Sequence, residues 1–135
     1  MNLRGFVMTE VLVALLVLAV AVTAALALAL RGFAATAEAR RAETAAGLAA
    51  DLAGRVRALR AVDWTALPAP SDCVAGCSPG QLAALELADW QAMVAAALPA
   101  GAGQLETAGA GELVAVLGWT ETGDVPRELR LGIGR

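Results

Sequence analysis

The chain of 135 residues contains no histidine, no lysine and no tyrosine, and its serines are Ser71 and Ser78 alone. Without imidazole, amine or phenol groups, the usual nucleophile–base pairs cannot be assembled. The carboxylates Asp51, Asp63, Asp72, Glu86 and Asp89 fall where helix surfaces and turns are expected, so no catalytic residue is assigned and no enzymatic activity is expected. Cys73 and Cys77 are the only soft metal ligands, too few for a four-ligand zinc site. No metal site and no cofactor are therefore expected. The loop C-V-A-G-C is also one residue longer than the C-x-x-C redox motif.

The absence of lysine leaves ten arginines as the whole basic complement, against 13 acidic residues and a net charge of -3. A nucleic-acid-binding surface needs a concentrated positive stripe, and none is expected here. The nearest candidate is Arg55, Arg57 and Arg60, interleaved with Val56 and Leu59, and it reads as a solvated helix face. Proline is missing before Pro68, which leaves the first half of the chain free to be helical.

What the chain does have is one long apolar run. From Val11 to Leu30 only Thr23 is not hydrocarbon-like, and at 1.5 Å per residue this stretch makes a helix of about 30 Å, enough to span a bilayer core. Arg4 precedes the run and Glu10 stands near its start. A cleaved secretory signal would account for Arg4, with an exit at Ala27-Leu28-Ala29, but its apolar core would be shorter and free of carboxylate. A plain membrane anchor accounts for the length, with Arg4 keeping the N-terminus cytoplasmic, and leaves Glu10 unexplained.

Beyond Leu30 the composition turns to alanine, arginine and glutamate without a break. Arg31 to Arg60 is rich in helix formers, Glu38 with Arg41 and Asp51 with Arg55 stand at helix-surface spacing, and Leu48, Leu52, Val56 and Leu59 draw one apolar stripe. One helix from Phe6 to Arg60 follows, with Gly32, Gly47 and Gly54 as the expected points of bending. The span from 61 to 79, with Pro68 and Pro70, reads as a loop in which Trp64 packs against the helix. If this part is exported, Cys73 and Cys77 form a disulfide that fixes a local turn, two free thiols being the alternative.

A second helix opens at Ser78-Pro79-Gly80-Gln81, where Ser78 caps, Pro79 takes the first helical position and Gln81 completes a capping box. It ends near Leu98, before Pro99 and Gly101, with Leu82, Leu85, Trp90, Met93, Val94 and Leu98 as its core candidates, and Asp89 offers a point of division. After a turn at Gly101-Ala102-Gly103 the pattern becomes that of strands: 104–108, then Glu112 to Glu121, then a run holding Leu129, Leu131 and Ile133. In the second of these, Leu113, Ala115, Leu117 and Trp119 share one face. The fold class is thus α+β: a long N-terminal helix packed on a small antiparallel sheet of about three strands, plus a second helix.

Gly5, Phe6 and Glu10, followed by VLVALLVLAV, resemble the class III signal of prepilins, in which a glycine precedes an aromatic residue and a glutamate follows four positions later. The order C-x3-C-S-P-x-Q-L-A-A, L-A-D-W-Q, L-P-A-G-A-G-Q and a strand ending in Trp119 is similar to type IV pilus minor pilins of the PilV kind over most of the chain. Asp51 to Trp64, DLAGRVRALRAVDW, shares that look. The membrane helix lacks the proline kink of many major pilins, having Ala27 and no proline, which speaks against the bulk subunit.

The resemblance implies a lollipop layout: a leader at 1–5, a transmembrane half-helix at 6–30, an exported half at 31–60 and a globular head at 61–135. It implies cutting by prepilin peptidase between Gly5 and Phe6, N-methylation of Phe6, and a role in assembly for Glu10. The implied partners are the peptidase, the major and other minor pilins, the inner-membrane assembly platform and inner-membrane lipid, with no nucleic acid. The implied location is the bacterial inner membrane, with the N-terminus cytoplasmic and the head periplasmic, and then the pilus at the cell surface. The implied function is a structural subunit that primes assembly or sits at the tip. A type II secretion pseudopilin shares the same N-terminal chemistry and stays open as the alternative, with a DNA-uptake pilin behind it.

Overall fold

The computed structural model describes residues 3–71, 73, 76–121 and 123–134, with the side chains of 3–7 and of Ala110 outside that description. The order of elements is helix α1 (Leu3–Ala58), helix α2 (Pro79–Ala97) and strands β1 (Ala102–Thr107), β2 (Leu113–Glu121) and β3 (Val125–Ile133), with a short 3-10 turn at Gly109–Gly111 before β2. The three strands form one antiparallel sheet in the order β1-β2-β3. The fold class is α+β, as the alternation of helical and strand periods predicts. The chain divides into two compact units, Met1–Ala39 and Arg40–Arg135.

In the first unit the described residues are all helical, and the apolar side chains from Met8 to Phe33 are exposed. Thr23, the one polar residue in the apolar run, donates its hydroxyl back to the carbonyls of Ala19 and Val20 at 3.0 and 2.9 Å. The run therefore presents no unsatisfied hydroxyl to a hydrocarbon environment. This is a helix long and apolar enough to cross a membrane. The expected bends do not interrupt it, since α1 continues through Gly32, Gly47 and Gly54, whose missing side chains leave open space.

In the second unit α1 contributes Ala45, Ala49, Leu52, Ala53 and Val56 to the core, with Leu48 and Leu59 at its margins. The stripe predicted from leucine and valine is thus completed by buried alanines. α2 begins as predicted, with Ser78 accepting from the Gln81 amide at 3.3 Å and Gln81 accepting from the Ser78 amide at 2.9 Å. It runs unbroken through Asp89. Its buried face is Ala83, Ala84, Trp90 and Val94, whereas Leu82 is exposed and Leu85 and Met93 are half-buried. Ranking candidates by hydrophobicity favours leucine, but the buried face of α2 passes through Ala83 and Ala84.

Trp90 is fully buried and donates its indole N–H to the Leu48 carbonyl of α1 at 2.8 Å. A buried indole needs this acceptor, and the bond ties α2 to α1. Of the turn expected at Gly101-Ala102-Gly103, Ala102 and Gly103 are instead the start of β1, and Gly101 precedes it. Gly103 pairs with Leu117 of β2, and the Trp90 ring, only 2.5 Å from a Cβ built at Gly103, is the reason this strand position is a glycine. β3 also starts earlier than the apolar pattern indicates, at Val125, after a connection in which Gly123 and Asp124 take positive φ values of 90° and 57°. Both residue types tolerate that conformation.

The inner face of the sheet carries Leu113, Ala115, Leu117, Trp119 and Ile133 into the core, joined by Trp64 from the loop. Val114 and Val116 are also buried, on the other face of β2. There Arg130, opposite Val116 on β3, makes an ion pair with Glu106, which lies opposite Val114 on β1. The aliphatic stem of the arginine and its partners shield the two valines from water.

Candidate functional site

Gly5 and Phe6 lie in the opening turns of α1 by backbone, and their side chains fall outside the description. Glu10 follows Phe6 by four positions, the spacing at which helix side chains stand one above the other. It is exposed, with Val13 and Ala14 continuing its face. Around it Met8, Val11, Leu12, Leu15 and Leu16 are between 52% and 69% exposed. No hydrogen bond or ion pair to Glu10 occurs among the described residues. An ionised carboxylate in such apolar surroundings is stabilised by a water-exposed position or by a cation brought from outside the helix.

The loop between the helices carries the second feature. Cys73 and Cys77 are joined in a disulfide with Cα atoms 5.2 Å apart. The Gly76 amide turns back to the Cys73 carbonyl at 3.5 Å, and Gly76 has a φ of 103°, which a glycine adopts without steric cost. Asp72, Val74 and Ala75 lie outside the described residues. The bridge directly precedes the α2 cap, and Gln81 also reaches Ser71 at 3.5 Å, so the loop is held to the helix start on both sides of the bridge. Trp64 is buried where the chain leaves α1 and donates to the Leu59 carbonyl at 3.4 Å, so it packs the loop onto the core.

Charged side chains form two ties that local spacing does not reveal. Arg55 pairs with Asp51 at 2.9 Å, as its spacing predicts, and also with Glu86 and with Asp89 at 3.3 Å across on α2. Burial works against its charge, but the bonds and charges of Asp51, Asp89 and Glu86 outweigh it and raise its pKa. This corrects the solvated reading of Arg55, while Arg57 and Arg60 are exposed. Arg41 pairs with Glu121 at the end of β2, and the Trp119 indole N–H donates to the same carboxylate at 2.8 Å. The Trp119 bond first, and then Arg41, hold the Glu121 carboxyl below its ordinary value. Arg41 and Glu121 are 80 positions apart, so nothing in the sequence could pair them.

The structure thus brings Cys73 and Cys77 together and leaves Glu10 on an exposed apolar helix in a different compact unit. No protein-family model, curated protein or solved structure matches the chain.

Proposed function

We propose that the chain is a membrane-anchored structural subunit of the minor-pilin type, which enters a filament assembled from the bacterial inner membrane. The observation that carries this reading is Glu10, a carboxylate without a partner among the described residues on an exposed apolar helix, one turn after Gly5-Phe6. Cleavage after Gly5 by a prepilin peptidase would create an ammonium group on Phe6. Glu10 of one subunit and that group on a neighbour, about 4 Å apart, attract by roughly 4 kcal/mol at an effective dielectric of 20, enough to influence register between helices. The apolar helix anchors the subunit in lipid before assembly and packs among other subunit helices afterwards. The disulfide-braced head, on the periplasmic side, is then the part displayed on the pilus.

The test is the N-terminus of the protein expressed with a prepilin peptidase. Sequencing should find Phe6 first, and Gly5→Leu should leave the protein inserted but uncut. Retention of Met1 in the unmodified protein, or a cut near Ala29, would overturn the reading.

A further inference from the structure

At the end of α1 lies a cleft of about 610 Å³ within the second unit. Its floor is apolar, formed by Val56, Trp64 and Leu113, which are nearly buried, and by the half-buried Val62, and Arg57 and Arg60 stand in its wall. Neither arginine has an ion pair or hydrogen bond among the described residues, whereas Arg41, Arg55 and Arg130 are all paired. The one acidic residue of the lining, Asp63, is turned to Thr65, accepting from its amide at 3.0 Å and its hydroxyl at 2.6 Å. In a chain with more acidic than basic residues, two guanidinium groups without a partner among the described residues, together beside an apolar floor, are a specific arrangement. Guanidinium groups recognise carboxylates through paired, charge-assisted hydrogen bonds, and the floor offers an apolar side chain a place out of water. Gly111 and Gly134, also in the wall, present main chain without side chains, which lets an extended backbone approach closely. The volume suits a few side chains.

We propose that this cleft docks a short extended segment of another polypeptide carrying an acidic side chain beside an apolar one. The carboxylate sits at Arg57 and Arg60, and the apolar side chain rests on Val62, Trp64 and Leu113. The proposal is independent of the filament reading, because it concerns the second unit alone.

The experiment uses the full chain carrying Trp119→Phe in nanodiscs of zwitterionic phosphatidylcholine, titrated with the capped tripeptide Leu-Glu-Leu while isothermal calorimetry gives the affinity and the change in tryptophan emission, from Trp64 beside the fully buried Trp90, is followed in parallel. The capped peptide Leu-Gln-Leu and butyrate serve as separate titrants. The Glu peptide should bind at least about tenfold more tightly than the Gln peptide and than butyrate. In the double variant Arg57→Gln, Arg60→Gln its affinity should fall to that of the Gln peptide while the circular dichroism melt stays in place. Equal affinity for the two peptides in the unaltered protein, undiminished binding by the double variant, or absence of binding would each overturn the proposal. Butyrate binding as tightly as the Glu peptide would overturn it too, by reducing the cleft to a small-anion site.

Discussion

At the scale of single residues, two glycines with similar surroundings on paper have opposite consequences. A Cβ at Gly103 would meet the Trp90 ring at 2.5 Å, and that ring is fully buried and held by its bond to Leu48. Gly103→Ala therefore overpacks a rigid site and should cost about 1–3 kcal/mol. A Cβ at Gly132 would meet Glu112 Oε1 at 2.6 Å, but that atom ends an exposed, flexible side chain. Gly132→Ala should change stability by less than about 0.5 kcal/mol. Thermal unfolding of the two variants, followed by tryptophan emission, checks the contrast. Glu121 supplies a pH dependence. Its pKa is lowered in the folded state, so its contribution is present above the usual glutamate value of 4.5 and is lost as pH falls through the lower folded value. The melting temperature of Glu121→Gln should lie below that of the unaltered protein at pH 7, and the gap should narrow steadily on titration from pH 5 to pH 3.

At the scale of elements, α2 shows how local chemistry and packing divide the work. Ser78, Pro79 and Gln81 fix where the helix starts, because the side chains satisfy amides that have no intrahelical partner. Ser78→Ala should cost about 1 kcal/mol, read as a lowered unfolding midpoint in denaturant with an unchanged slope. Arg55 then links the side of α2 to α1 through Glu86 and Asp89. β3 is an edge strand, and Pro126, Arg127, Glu128 and Arg130 along it discourage pairing with other chains. The same Arg130 stands opposite the buried Val116 and pairs with Glu106 across the outer face of the sheet.

At the scale of the whole molecule, the contrast is between an apolar helix with no buried residues in its membrane-length stretch and a second unit with a continuous core. A helix exposing that much hydrocarbon needs lipid or other helices around it. On the filament reading, Glu10→Gln keeps the size and removes the charge. Insertion and cleavage should be intact and incorporation into sheared pili reduced. Incorporation at the unaltered level, measured by counting subunits in purified filaments, would make Glu10 an interfacial residue only.

The sequence by itself determined the α+β class, the long helix, the start of α2 and the central strand, because those depend on short-range causes. These are an apolar run of bilayer length, a capping box and an alternation of period two. Tertiary structure alone decided that Ala45, Ala49, Ala53, Ala83 and Ala84 are buried while Leu82 stays outside, since an alanine shows its value only against a neighbour. It also decided that Gly103 is strand and not turn, because it pairs with Leu117, and its glycine is explained by the Trp90 ring in the side-chain position. The pairing of Arg41 with Glu121, and the cleft in which Arg57 and Arg60 have no partner among the described residues, join segments far apart in the chain. Side-chain charge is local information, but compensation of charge is a property of the folded surface.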